Sequence, residues 1–203
     1  ESFSICSCLC YPRAGFSPVY HIPPPEENME ALTAISGRRS IRRFAPGPVG
    51  ADQVKALLTA AMSAPSAGNQ QPWHFVVTDD ASILARVPAH HPYASMVPSA
   101  SLAVLVCGDL QLEKFPGFWV QDCAAATENL LVAAHALGLG AVWLGVHPMP
   151  DRENGMRRLF ELPDEVIPFA LIPIGRPAEE KPATDRYQPL RVYKDRWGTS
   201  FGL

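Results

Sequence analysis

Apolar residues recur at helical spacing in two stretches near the start of the ordered pattern. Met29, Leu32 and Ile35 predict a short helix over 29–38. A second helix is predicted over 51–64. Its expected buried face consists of Val54, Leu57, Leu58, Ala61 and Met62. Between the two helices, prolines and glycines at positions 46–50 indicate a loop.

The longest predicted helix spans 118–137 and has a narrow polar stripe. Its polar residues recur at a spacing of seven: Gln121, Asp122, Glu128 and Asn129. Nearly all other positions are apolar or alanine, so this helix is expected in a core or a subunit interface. Two shorter helices are predicted over 81–87 and 151–160.

Continuous apolar runs indicate strands that are covered on both faces. Such runs occupy 102–107, 141–146 and 167–174, and a further strand is predicted over 74–78. Strands and helices alternate along the chain. The pattern therefore predicts a single layered domain, either a three-layer α/β fold or an α+β fold.

The two ends of the chain differ from the middle. Residues 1–28 contain proline clusters and no helical pattern, so we interpret them as an extension of a domain that spans 29–175. Residues 176–203 are polar and rich in proline, with large aromatic side chains at intervals. A tail of this composition is expected to pack on another surface, and a partner subunit is a good candidate.

Composition narrows the function classes. The formal net charge of -3 argues against general binding to nucleic acid or to anionic membranes, and no apolar run is long enough to span a membrane. The five cysteines include the cluster Cys6, Cys8 and Cys10, but they do not form a disulfide framework. A reducing cytoplasm fits best. We expect no metal site, because no further His/Cys cluster accompanies the three cysteines.

The charged segment Arg38-Arg39-Ser40-Ile41-Arg42-Arg43 carries the main chemical signal. It places four arginines within six residues of an acidic protein. Guanidinium groups and a serine hydroxyl are suited to a phosphate with about two negative charges. The cluster could equally be a solvated helix end or a nucleic-acid patch.

Further motifs follow in a recognisable order. They are Arg38–Arg42, the Ala64–Trp73 loop, Ala141–Gly145, Ile172–Pro177 and a later Arg186. Together, over about 29–197, they resemble the nitroreductase family of FMN-dependent oxidoreductases. The resemblance implies a three-layer α/β/α sandwich of α+β class with a central mixed sheet. It also implies an intertwined homodimer that exchanges C-terminal tails and binds two FMN molecules at its interface.

The resemblance also assigns roles to individual residues. Arg38 and Ser40 match positions that hold the FMN phosphate, Arg39 a position along the ribityl chain, and Arg42 the cation near the flavin N1/O2 edge. Ile41 lies within this motif. The loop that reaches FMN from the other subunit is matched by Pro65, Ser66, Ala67 and Asn69. The segment beside the ring near N5 is matched by Trp143, Leu144 and Gly145. Arg186 matches a residue that closes over the phosphate. Thr184 departs from the family, since many relatives have a basic residue there, and Lys181 is a candidate replacement.

The implied activity is ping-pong transfer of a hydride from NADH or NADPH through flavin N5 to a small flat acceptor, such as a nitroaromatic or a quinone. No catalytic side chain is expected, because the flavin carries the chemistry. Tyr93 and Phe118 are candidates for the acceptor pocket, or else ordinary surface residues. Four alternative functions remain open: a dehalogenase, an enone reductase, a flavin-consuming oxidase and a flavin-binding module with little turnover.

Overall fold

The computed structural model of the protein describes residues 29–202. Its helices are α1 (Ala31–Gly37), α2 (Ala51–Met62), α3 (Ala81–Arg86), α4 (Trp119–Ala136) and α5 (Pro150–Phe160). Its strands are β1 (Phe44–Ala45), β2 (Trp73–Thr78), β3 (Leu102–Asp109), β4 (Gly140–Ala141), β5 (Leu144–Gly145) and β6 (Val166–Pro177). The five predicted helices are confirmed, with each end within two residues of its predicted position. The cluster of Cys6, Cys8 and Cys10 lies outside the described residues.

Strand β6 is the centre of the sheet. It pairs antiparallel with β3, and β3 pairs antiparallel with β2. The short strands β1, β4 and β5 all pair antiparallel with β6 at successive positions. All strand pairs within 29–202 are antiparallel, and an isolated parallel bridge joins Ser40 to Ala141. This bridge joins the arginine-rich segment to β4.

The predicted strand over 141–146 is split into two. The register pairs Ala141 with Ile174 and Leu144 with Leu171, which places Val142 opposite Pro173. Proline has no N–H to donate, so the ladder is interrupted at this point. The prediction of one continuous strand is therefore wrong, and the break allows the chain between β4 and β5 to leave the sheet edge.

Two apolar clusters cover the two faces of the sheet. Alternate residues of β3, among them Val104 and Val106, pack with α2 and α4, whereas Leu105 and Cys107 pack with α3 and α5. Because successive side chains of a strand point to opposite faces, one strand contributes to both clusters. The α+β prediction and its three layers are confirmed.

The two described cysteines belong to these clusters. Both Cys107 and Cys123 are fully buried. Burial raises the pKa of the Cys107 thiol to about 12 and also raises that of Cys123. Both thiols therefore act as small apolar core groups, as expected for Cys123 on the long helix.

Some apolar side chains have no cover within the described chain. On α1 only Ala34 is buried, whereas Leu32 is 72% exposed and Ile35 is 56% exposed. Met62, expected on the buried face of α2, is half exposed. In the tail, Leu190 and Trp197 are almost fully exposed. No helix within 29–202 combines the length and apolarity that a bilayer crossing requires.

Candidate functional site

The arginine segment, residues 38–42, connects the end of α1 to the edge of β4. The Arg38 N–H donates to the Ala34 carbonyl at 3.1 Å and closes the last turn of the helix. Three residues on, the Ile41 N–H donates to the Ala141 carbonyl at 3.0 Å. The Ile41 side chain is buried so closely over Gly140 that a Cβ there would lie 2.7 Å from its Cγ2. Ile41 therefore anchors the segment through its backbone and its packing.

The arginine side chains of this segment contain unpaired donors. Arg38 Nε lies 3.2 Å from Glu128 Oε1, without hydrogen-bond geometry. Arg39 donates through Nε to the Pro182 carbonyl at 2.9 Å and through Nη1 to the Ser36 carbonyl at 2.8 Å. Within 29–202, Arg38 Nε and Arg39 Nη2 are the buried side-chain polar atoms without a hydrogen-bond partner. Such donors are costly in isolation and suit an incoming anion.

A histidine lies within the positive potential of the arginine segment. His135, in the last turn of α4, packs against Gly37, where an added Cβ would meet its Nε2 at 2.9 Å. Burial lowers the pKa of His135, and the charges of Arg38 and Arg39 lower it further. The segment therefore has a local positive field that disfavours a third cation.

The start of the tail holds the arginine segment in place. Lys181 Nζ donates to the Ser40 carbonyl at 2.6 Å, and the Glu179 carboxylate accepts from the Arg42 N–H at 2.5 Å. Lys181 also forms an ion pair with Glu179 at 3.2 Å. The hydrogen bond from Arg42 is the main cause of a lowered pKa of Glu179. The Lys181 ammonium is thus engaged with the backbone beside Ser40, where it orders the segment.

Two predicted basic residues are less closely tied to the segment. The Arg42 residue is exposed, and its described contact is the backbone bond to Glu179. Arg186 lies on an exposed part of the tail and has no hydrogen bond to the arginine segment within the described chain. Its predicted role over the phosphate stays a prediction.

The predicted cofactor loop, residues 65–71, forms a tight, polar turn. Gly68, Asn69 and Gln71 all adopt positive φ angles, between 49° and 55°. The Ser66 hydroxyl accepts from the Gln71 N–H at 3.0 Å, and the Ala67 N–H donates to Asp122 Oδ1 at 2.9 Å. Pro65 and Asn69 are exposed. Asn69 is therefore presented at a defined position, while the loop backbone is fixed from α4.

The segment Trp143–Gly145 is fixed by side chains from two other elements. The Gly145 carbonyl accepts from His91 Nε2 at 2.9 Å and from Arg152 Nη1 at 2.8 Å. His91 is buried, and its Nδ1 accepts from the Tyr93 N–H at 3.2 Å, so Nε2 carries the proton. Burial is the main cause of the lowered pKa of His91. Trp143 is half-buried against Phe169.

The two predicted pocket residues are exposed aromatic groups in different places. Tyr93 is 69% exposed, and the guanidinium carbon of Arg152 lies 5.6 Å from its ring centroid. It is therefore connected to Gly145 through His91 and Arg152. Phe118 is 45% exposed at the start of α4. Whether either residue contacts an acceptor stays a prediction.

Several residues of the site were not predicted to take part in it. Glu128 and Asp122 were recognised as members of a polar stripe, but their partners are distant in sequence. Gln70 lies within the predicted loop motif, but the sequence does not reveal that it bonds to Asp122. In the same way, only folding brings His91 and Arg152 to the Gly145 carbonyl.

Known proteins with similar sequences and folds belong to the nitroreductase family. The model of the nitroreductase family matches residues 35–93 and 113–176. A protein of Methanothermobacter thermautotrophicus, provisionally named NADH dehydrogenase/NAD(P)H nitroreductase, is 48% identical over 177 residues, which is 87% of this chain and 93% of that protein.

Solved structures are similar over the same region. A crystal structure from Parabacteroides distasonis, provisionally named in the same way, has 35% identity and a TM-score of 0.79, covering 82% of this chain and 98% of its own. A provisionally named nitroreductase from Desulfovibrio desulfuricans, solved in complex with FMN, has 32% identity and a TM-score of 0.72, covering 82% and 97%. The match to more than half of the chain, together with these identities, establishes that the chain belongs to the nitroreductase family.

Proposed function

We propose that this protein is an FMN-dependent oxidoreductase that uses NADH or NADPH to reduce a small flat acceptor, such as a nitroaromatic or a quinone, by ping-pong turnover. Membership of the nitroreductase family supports an NAD(P)H oxidoreductase as the general class of enzyme. The FMN complex of a relative with 32% identity supports the choice of cofactor. The choice of acceptor and the ping-pong order of steps are proposed in addition to this general class.

The observation that carries the proposal is the pair of unpaired arginine donors. Arg38 Nε and Arg39 Nη2 are buried without a hydrogen-bond partner in the described chain, and Ser40 follows them directly in the sequence. FMN would supply acceptor oxygens for both donors, from its phosphate for Arg38 and from its ribityl chain for Arg39, and the phosphate would offset the positive charge. The residues present therefore fit FMN. Lys181 and the Ser40 carbonyl maintain the segment in the conformation that presents these donors.

The remaining residues would surround the rest of the cofactor. Arg39 would lie along the ribityl chain, and Arg42 would place a cation near N1 and O2, where it stabilises added negative charge. Trp143, Leu144 and Gly145 would line the ring near N5. When bound, FMN supplies the hydride chemistry, accepting from NAD(P)H and donating to the acceptor. The protein orients the reactants and excludes water.

We also propose a homodimer in which residues 176–203 pack on the partner subunit. The exposed apolar face of α1 and the exposed tail residues Leu190 and Trp197 support it, since surfaces of this kind are usually covered. In this dimer Pro65, Ser66, Ala67 and Asn69 would reach the FMN of the other subunit, and Arg186 would approach the phosphate. Light scattering on the full chain and on a chain ending at residue 175 tests this. A full chain that is monomeric would contradict it.

An absorbance spectrum of the purified protein, followed by anaerobic titration with NADH and NADPH, tests the central activity. We expect flavin bands that bleach with one or both donors. Bleached protein should then be reoxidised by a nitroaromatic or a quinone. A protein that stays colourless after incubation with FMN would contradict the proposal. If the protein turns over only halogenated aromatics or enones, these compounds replace nitroaromatics and quinones as the acceptor class.

The pocket assignment is tested separately. Replacing Tyr93 and Phe118 by alanine should raise the KM of at least one acceptor, since both are exposed aromatic groups that could contact a flat ring. Unchanged KM values for every acceptor would remove them from the pocket.

A further inference from the structure

A buried carboxylate at the start of α4 lies between two loops. Asp122 is 4% exposed, and both of its oxygens are occupied. Oδ1 accepts from the Ala67 N–H at 2.9 Å, and Oδ2 accepts from Gln70 Nε2 at 2.6 Å. Both donors belong to the cofactor loop, residues 65–71. A buried group that uses both oxygens as acceptors fixes the backbone that surrounds it.

The hydrogen bonds continue from Gln70 to a second loop. Gln70 is 7% exposed, and its Oε1 accepts from the N–H groups of Lys114 at 2.8 Å and Phe115 at 3.1 Å. Because both of these groups are donors, the amide oxygen must face them and the NH₂ must face Asp122. The chain of bonds therefore has a single direction, which requires a pure acceptor at position 122.

The second loop, residues 113–118, is a compact rim loop. Phe115 lies so close to Gly68 of the cofactor loop that a Cβ at Gly68 would be 2.2 Å from its Cε2. Glu113 Oε1 accepts from the Trp119 N–H at 3.1 Å, and the Phe118 N–H donates to the Phe115 carbonyl at 3.2 Å. The position of this loop is thus set by Gln70 and by contact with Gly68.

We propose that Asp122 and Gln70 are positioning residues that determine acceptor specificity by holding the rim loop against the cofactor loop. The proposal rests on the proposed function, in which the cofactor loop borders FMN and Phe118 borders the acceptor. Neither Asp122 nor Gln70 touches substrate. They fix the distance between the cofactor and the aromatic rim, and an acceptor with two fused rings depends more on this distance than an acceptor with one ring.

The direction of the hydrogen bonds permits a reversal experiment. In Asp122→Asn, either orientation of the new amide sets two donors face to face, at Gln70 or at Ala67. In Gln70→Glu, two carboxylates meet across a distance that is 2.6 Å in the parent. In the double variant, the carboxylate at 70 accepts from Lys114, Phe115 and the new amide at 122, whose oxygen accepts from Ala67. Each single change breaks the pattern, and the pair restores it.

The experiment compares these three variants with the parent and with Asp79→Asn, a control at an exposed aspartate. Hydrogen exchange of the FMN-loaded protein, followed on peptides covering 110–118, is the readout that does not depend on activity. We expect exchange at Lys114 and Phe115 to become about tenfold faster or more in each single variant, because an unpaired buried group destabilises the closed rim loop. The double variant and Asp79→Asn should match the parent.

Kinetics supply the functional readout. With a two-ring quinone we expect KM to rise about tenfold in each single variant, with little change in kcat for a one-ring nitroaromatic, and recovery in the double variant. Faster exchange in the single variants without a change in the KM ratio would overturn the role in specificity. Unchanged exchange would overturn the positioning role. A parent protein that binds FMN but reduces no acceptor would instead contradict the proposed reductase activity, and the exchange data do not depend on that activity.

If the single variants do not fold, the double variant alone tests the proposal. If the double variant folds, binds FMN and retains the parent KM ratio, the directional pattern is supported. If it folds but has the exchange rate expected of an open rim loop, the proposal is wrong.

Discussion

The arginine segment and the cofactor loop both contain polar groups removed from water, but they are completed in different ways. Around the cofactor loop, Asp122 and Gln70 satisfy each other and the neighbouring backbone within the chain. Around the arginine segment, Arg38 Nε and Arg39 Nη2 have no hydrogen-bond partner in the described chain, although Arg38 Nε lies 3.2 Å from Glu128 Oε1. The first region is a self-sufficient framework. The second has unpaired donors that an anion would satisfy, which is why we propose it as a binding site and the first as a structural network.

The largest expected effect is on stability and concerns the framework. Asp122→Ala leaves the Gln70 amide and the Ala67 N–H unpaired in a buried place. We expect it to lower the free energy of unfolding by about 3 kcal/mol. Urea denaturation of the cofactor-free protein at one fixed concentration measures this, with Asp79→Ala as the exposed control.

The same measurement on Arg38→Ala sharpens the contrast. Since Arg38 Nε has no hydrogen-bond partner in the described chain and its ion pair with Glu128 is partly exposed, its removal should change the unfolding free energy by no more than about 0.5 kcal/mol. Equal losses for Asp122→Ala and Arg38→Ala would contradict the distinction between framework and site.

The second effect concerns cofactor affinity. Arg38→Ala should raise the Kd for FMN about thirtyfold, because a charge-assisted hydrogen bond to phosphate is worth about 2 kcal/mol. Quenching of flavin fluorescence measures the Kd. Arg158→Ala, on the exposed side of α5, is the matched control and should leave the Kd unchanged. A similar loss of affinity for riboflavin, which lacks the phosphate, would place Arg38 elsewhere on the cofactor.

A third, smaller effect is a shift in histidine titration. Burial, Arg38 and Arg39 hold the pKa of His135 below its usual value of 6.5. Inorganic phosphate bound at the arginines should raise the pKa of His135. His91, whose pKa is lowered mainly by burial and also by Arg152, is the internal control and should not respond. Titration of the histidine ring protons by NMR separates the two.

The lowered pKa values also fix the sign of a pH effect on stability. Between its lowered folded pKa and 6.5, each of these histidines binds fewer protons in the folded than in the unfolded state. Their contribution is therefore fully favourable above pH 6.5 and is lost as the pH falls below it. Unfolding midpoints measured from pH 8 to pH 5 should decline over this range, and less steeply in His91→Gln.

The smallest effect concerns the Glu128 carboxylate, which would compete with the FMN phosphate for Arg38. Glu128 lies 3.2 Å from Arg38 Nε, and its side chain is half exposed. Exposed ion pairs contribute less than about 1 kcal/mol, so Glu128→Gln should tighten FMN binding by about threefold at most. Weaker binding in this variant would mean that Glu128 helps to orient Arg38.

The sequence allowed the helices and the long strands to be predicted because their apolar periodicity is local. The runs that became β3 and β6 are apolar at nearly every position, as expected for strands covered on both faces. The split between β4 and β5 could not be predicted, since it depends on Pro173 in another strand. The two-residue strand β1 is too short to have a pattern.

The site was predictable to the extent that its motifs are contiguous. The arginine segment and the cofactor loop were found from their residues and from the family resemblance. The links that fix them, Asp122 to Gln70 and His91 to Gly145, join residues more than fifty positions apart. Exposure of Leu32 and Ile35 on α1 was also unforeseen, because helical spacing identifies an apolar face but not what covers it.

The most direct test of the account compares FMN with riboflavin as ligands of the cofactor-free parent protein. If the unpaired donor of Arg38 and the Ser40 hydroxyl form the phosphate site, FMN should bind at least about a hundredfold more tightly than riboflavin, and inorganic phosphate should compete with FMN. Equal affinities for the two flavins would contradict the account, because the arginine segment would then contribute nothing to cofactor recognition.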